Sequence, residues 1–228
     1  MCCSISTFPL HKRHETMPYH RLRCLLRGLS DFLVRLMFRL SYDGLEHIPD
    51  QGPAILIANH TSMLDMFAIH ARVGPWVHWV AKKELFRHPW SSRLLHQLGC
   101  IPVNRGKADT AAVRGIMGAL KQSQIVGMFP QATRVLPDQI AQVRPRSGAA
   151  HFAVRTGIPL LPVAIDGRFR LFAKVRIVFG QPFTLAKTDN PAGDNTYMDA
   201  LSLHIMQRVY DLIGQKNIYG QINFTRSK

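Results

Sequence analysis

Acidic residues are scarce in this chain. Only 3 Glu and 11 Asp stand against 20 Arg and 9 Lys, which leaves a formal charge of +15 over 228 residues. Such a balance favours polyanionic partners, and the dominance of Arg suits bidentate binding of phosphates on lipids, nucleotides or nucleic acid. Cysteine is scarce as well. Cys2, Cys3, Cys24 and Cys100 show no repeated C-x-x-C spacing, which argues against a zinc module or a disulfide framework and makes a reducing compartment the default. The chain also lacks an uncharged apolar run of about 18 residues, so it encodes no standard membrane-spanning helix. Internal repeats and low-complexity tracts are missing too. No RNP-type aromatic motif accompanies the positive charge, so nucleic acid is not an expected partner, although charge alone would permit it.

What is present argues for a globular fold. Hydrophobic residues make up 46% of the chain, too many for a disordered one, and the length suffices for one domain with a sizeable core. Residues 1–16 form a polar, irregular leader, and Met17 offers an alternative start that would place them outside the native protein. Residues 17–42 read as a basic amphipathic helix. Over residues 19–40, Leu22, Leu25, Leu26, Leu29, Leu33, Leu36, Met37 and Leu40 recur at spacings of three and four, with Arg21, Arg23, Arg27, Arg35 and Arg39 between them. Such a helix suits the membrane interface, with its arginines among the headgroups. It suits equally well a helix packed on the domain with a basic outer face. The apolar positions wander around the helix rather than hold one narrow stripe.

From residue 43 the pattern changes. Strands are expected at 54–58, 77–81, 100–103, 125–129, 159–165 and 174–179. Helices are expected at 62–72, 91–98, 108–122, 147–156 and 195–214. This alternation predicts an α/β domain with a central mixed, largely parallel sheet flanked by helices. In such sheets ligands sit beyond the carboxyl ends of the strands. Polar clusters follow the expected strands at 58, 103 and 129, which points to one shared site.

The first cluster is N-H-T-S-M-L-D, from Asn59 to Asp65. His60 and Asp65 are five apart and would point away from each other in one continuous helix. They meet if His60 lies in the turn and Asp65 in the first helical turn, with Ser62 as N-cap of an S-x-x-D capping box. A carboxylate on one imidazole nitrogen fixes the tautomer and leaves the other as a general base. Capping alone would equally account for the spacing. With no Ser or Cys in an elbow motif alongside, the pair suggests direct activation of an acceptor hydroxyl. The second cluster is I-P-V-N-R-G, where Arg105 and Gly106 precede a helix and suit a phosphate. The third is F-P-Q-A-T-R, with Gln131, Thr133 and Arg134. Beyond it, V-R-P-R-S-G-A-A sets Arg144 and Arg146 before another helix, where they serve a phosphate or simply lead into the helix.

These blocks, with G-I-P-L-L-P-V-A-I around Pro159 and Pro162, resemble in order those of the glycerolipid acyltransferases, whose best-known members are 1-acylglycerol-3-phosphate acyltransferases. The match covers about residues 44–180 and implies an acyltransferase domain over 43–228. The resemblance implies that His60, oriented by Asp65, deprotonates a lysophospholipid hydroxyl. That oxygen then attacks the thioester of acyl-CoA or acyl-carrier protein, with 1-acylglycerol 3-phosphate as acceptor and phosphatidate as product. Arg105, Thr133 and Arg134 would hold the acceptor phosphate, with Asn59, Gln131, Gly106 and Arg146 in secondary roles. Pro159 and Pro162 would line the acyl or acceptor pocket. No metal or redox cofactor is implied; the acyl donor is a co-substrate. The expected setting is peripheral or monotopic, at the cytoplasmic face of a membrane with anionic lipids. One departure stands out: Gln131 and Ala132 replace the family's usual Glu and Gly. Gln lacks the charge, and Ala adds a methyl at a position where the family's Gly would allow the backbone to approach the ligand closely or to adopt φ > 0. A different lysolipid or hydroxyl acceptor, or a catalytically silent lipid-binding relative, is the alternative.

Overall fold

The computed structural model describes residues 20–104, 109–186 and 195–220. The leader 1–16 and the start at Met17 lie outside the described residues. A seven-stranded sheet forms the centre. Its strands are β1 (Arg39–Asp43), β2 (Ala54–Ala58), β3 (Val77–Lys82), β4 (Ile101–Val103), β5 (Ile125–Met128), β6 (Leu160–Asp166) and β7 (Lys174–Phe179), in the spatial order β1-β7-β6-β2-β5-β3-β4. Every pairing is parallel except β6 with β7. The helices are α1 (His20–Met37), α2 (Asp65–His70), α3 (Pro89–Gln97), α4 (Thr110–Lys121), α5 (Gly148–Thr156) and α6 (Asn195–Asp211).

The central strands are apolar throughout because both faces of the sheet are covered. All five residues of β2, Ala-Ile-Leu-Ile-Ala, are buried. One side of the sheet packs Ile55, Ile57, Val126 and Met128 against α4, α5 and α6. The other packs Leu56, Ile125, Leu161 and Val163 with Val34 of α1 and Ala68 and Ile69 of α2.

The structure corrects the sequence-based expectations in three places. The first helix stops at Met37, and residues 39–43 enter the sheet as β1, parallel to β7. The boundary expected at 42/43 therefore falls inside a strand. The α1 face is also cleaner than the spacing suggested. Val34 turns inward, while Leu25, Leu29, Phe32, Leu33 and Leu36 form one exposed stripe. Two of its arginines point to the domain rather than outward. Arg23 is buried, donates to the Gln97 carbonyl and lies over the Trp76 ring, and Arg27 donates to the Gly74 carbonyl. Lastly, Pro159 precedes β6 at the end of the sheet where β2 begins, and its carbonyl accepts from Ile55 N–H. Pro162 is buried within β6, between the isolated bridge Leu160–Phe183 and the β7 ladder that starts at Val163. A proline is tolerated there because the pairing on that side is interrupted.

Candidate active site

His60 sits in the turn that leaves β2, and Asp65 is the first residue of α2. The Asp65 carboxylate is fully buried. It accepts from His60 Nδ1 at 2.7 Å, from Thr61 N–H at 2.6 Å, from Ser62 N–H at 2.8 Å and from Thr61 Oγ1 at 3.0 Å. The expected reciprocal capping is present: Ser62 Oγ accepts from Leu64 N–H, and the Asp65 carboxylate reaches back to Ser62 N–H. Regular helix starts only at Asp65, three residues after Ser62, and the same carboxylate also gathers the polar hydrogens of Thr61 and His60 in the turn.

The consequence for His60 is chemical. A carboxylate only accepts, so Nδ1 must carry the proton and Nε2 holds the lone pair. The imidazole is 13% exposed. Its plane is fixed by a stack: Phe129 lies at 4.2 Å between ring centroids and 21° from parallel, and Trp79 lies 5.0 Å beyond Phe129 at 11°. Trp79 is paired in register with Gly127. A Cβ on Gly127 would sit 2.6 Å from the indole, so the missing side chain makes room for the tryptophan. Sequence analysis missed this column of Gly127, Trp79, Phe129 and His60. The available signal was a glycine inside an apolar strand, which marks a close approach.

The third block is bound directly to this base. Val135 N–H donates to the His60 carbonyl at 2.8 Å, so Thr133 and Arg134, both exposed, share its rim of the sheet. Arg146 N–H donates to the Pro130 carbonyl, which brings the exposed Arg146 alongside. Ala132 adopts φ 57°, the left-handed conformation that favours the glycine usual in the family, and its N–H closes a turn on the Phe129 carbonyl. Gln131 is not a surface contact. It is buried, and its Oε1 accepts from the Tyr210 hydroxyl of α6 at 3.1 Å. Burial pushes the Tyr210 pKa up to about 12, so that hydroxyl remains a donor.

Asn59 is structural. Its side-chain amide exchanges two hydrogen bonds with the Ile165 backbone, at 2.7 and 2.9 Å, extending the β2–β6 pairing beyond Ala58. Arg105 and Gly106 lie outside the described residues. At the flanks of their segment, Asp109 caps α4 through Ala112 N–H and also accepts from Asn104 N–H. Pro159 stands at the opposite end of the sheet from His60, which removes it from this rim.

Comparison with known proteins identifies the family and the fold. The chain is 29% identical over 143 residues to the 1-acyl-sn-glycerol-3-phosphate acyltransferase of Bacillus subtilis, covering 60% of this chain and 70% of that one. It is 27% identical over 142 residues to the enzyme of the same name from Saccharomyces cerevisiae, covering 61% of this chain and 47% of the yeast protein. The chain thus spans from about half to 70% of the length of these relatives. Its fold is shared with the crystal structure of the 1-acyl-sn-glycerophosphate acyltransferase from Thermotoga maritima, at a TM-score of 0.65 and 23% identity, over 90% of this chain and 85% of that one. The acyltransferase family profile matches residues 39–166, which run from β1 to the end of β6 and include the His60–Asp65 pair and the third block, and the chain belongs to that family.

Proposed function

We propose that this acyltransferase moves a fatty acyl group from acyl-CoA or acyl-carrier protein to the free hydroxyl of 1-acylglycerol 3-phosphate, giving phosphatidate. The observation that carries this is the 2.7 Å bond between His60 Nδ1 and a fully buried carboxylate, which leaves Nε2 as the base. Nε2 takes the hydroxyl proton as that oxygen attacks the thioester carbonyl. Asp65 stabilises the imidazolium that forms, as the third member of a triad does. The proton then passes to the leaving thiolate, so each turnover releases one free thiol. Among the described residues no serine or cysteine is hydrogen-bonded to His60, in keeping with direct transfer rather than a covalent acyl-enzyme.

Arg134 and Thr133 supply a guanidinium and a hydroxyl for the acceptor phosphate at the His60 rim, and Arg105 and Arg146 are further candidates. The names of the curated relatives support lysophosphatidate as acceptor. Gln131 gives no ground for another acceptor, because its side chain turns into the core. The exposed stripe of α1 supports peripheral attachment to a membrane, which this reading places at an anionic cytoplasmic face. No helix of the described residues is long and apolar enough to cross a membrane.

Purified protein given acyl-CoA and lysophosphatidate should release free thiol. His60→Ala should lower that rate by at least about 10²-fold, the usual scale for a general base. Full activity in the variant would sink the mechanism.

A further inference from the structure

The loop between β6 and β7, residues 167–173, carries three large apolar side chains and uses only one of them for packing. Phe169 meets the core residue Phe38 edge-to-face at 5.2 Å. Leu171 and Phe172 are left out in solvent, 62% and 64% exposed. They are held in place by backbone bonds. Arg170 N–H donates to the Arg168 carbonyl, Ala173 N–H to the Arg170 carbonyl, and Phe172 N–H to the Met37 carbonyl at 2.7 Å. Phe172 also adopts φ 60°. A bulky residue is an outlier there and persists only when its surroundings impose it, a pattern that clusters at functional positions.

Position gives the loop its meaning. The bond to Met37 ties it to the end of α1, next to Leu36, the last residue of the exposed stripe of that helix. β6 runs parallel to β2, with Ala58 opposite Val163 and Asn59 bonded to Ile165. The loop after Asp166 therefore emerges at the same end of the sheet as His60. Exposed basic side chains flank the tip: Arg168, Arg170 and Lys174 within or beside the loop, and Arg39 where β1 begins. Two apolar side chains ringed by cations, on a chain of net charge +15, complement an anionic lipid surface.

We propose that the Leu171–Phe172 tip is a second lipid-inserting element, distinct from α1. It enters the headgroup boundary and sets the catalytic end of the sheet against the lipid from which the acceptor comes. This rests on the membrane-attached acyltransferase described above, and its test separates the two.

Sedimentation with vesicles of phosphatidylcholine containing about a third phosphatidylglycerol reads the binding. The double variant Leu171→Ser/Phe172→Ser should weaken it by at least about tenfold, given the apolar area each side chain would bury. Arg168→Ser/Arg170→Ser should weaken binding to these vesicles and leave binding to pure phosphatidylcholine unchanged. Both variants alter exposed residues, so thiol release from a dispersed short-chain acceptor should stay at the wild-type rate. Unchanged vesicle binding by the Leu171→Ser/Phe172→Ser protein overturns the proposal. So does a wild-type dimer that this variant converts to monomer, which would make the tip an interface between copies. Loss of the short-chain rate along with binding overturns it too. A stripe variant, Leu25→Ser/Leu29→Ser/Phe32→Ser, that alone loses binding would leave α1 as the membrane element and remove the tip. If the wild type releases no thiol, the acyltransfer mechanism fails while the vesicle result still decides the role of the tip.

Discussion

Asp65 shows how one side chain organises the site. Four donors converge on it, and two of them are backbone N–H groups of the turn that carries His60. The carboxylate thus builds the turn and sets the tautomer at once. Gln131 marks the opposite case, a motif residue whose work is internal. Because it is buried against Tyr210, Gln131→Glu should leave the ratio of rates between lysophosphatidate and a neutral-headgroup lysolipid as it is in the wild type. Thiol-release assays with both acceptors check this. A changed ratio would mean that position 131 senses the ligand after all.

At the scale of elements, β5 and β3 are joined by an absence. Gly127 leaves a gap that the Trp79 ring fills, and Trp79 backs Phe129, which backs the imidazole. In Gly127→Ala the new methyl would lie 2.6 and 2.8 Å from the indole and 2.8 Å from Val77, closer than side chains come. Strand backbones on both sides leave the ring as the part that moves. Such overpacking costs about 1–3 kcal/mol. The variant should melt earlier and, with Phe129 displaced from His60, lose kcat more than it raises KM. Steady-state kinetics alongside thermal melts test both halves, and an unaltered kcat would show that the stack plays no part in positioning the base.

At the scale of the whole molecule, α1 is fastened to the domain over a buried imidazole. His70 of α2 lies edge-on to Trp76, beneath the helix whose Arg23 and Arg27 reach into the domain. Burial first, then the charges of Arg27, His78 and Arg23, push its pKa down to about 3. The unfolded chain therefore binds a proton at His70 well before the folded chain does. The stability held by the neutral ring is complete above about pH 6.5 and drains away as pH falls toward about 3. On acidification to about pH 5 this single group should cost about 2 kcal/mol. Melts across that interval should show the loss, and His70→Phe should flatten it. His204, shifted in the same direction, leaves a residual slope.

The sequence by itself determined the alternation of strand and helix, the largely parallel sheet, and the pairing of His60 with Asp65. Each of these rests on local spacing: apolar runs for buried strands, periods of three and four for helices, and a turn short enough to bring two side chains together. The resemblance to the family left two readings for Ala132, close approach to the ligand or positive φ, and the structure shows the positive φ. Only the tertiary structure decided what depends on residues far apart in the chain. It added to the capping contact of Asp65 with Ser62 N–H two further donors from Thr61 in the turn. It ended α1 at Met37, because Arg39–Asp43 find β7 as a pairing partner some 135 positions later. It took Gln131 inward to Tyr210, 79 residues away, and Pro159 to the far end of the sheet. It also joined Phe172 to the end of α1 at Met37, two segments that no local pattern connects. Hydrogen bonding and packing between distant strands are long-range terms, and no window of neighbouring residues contains them.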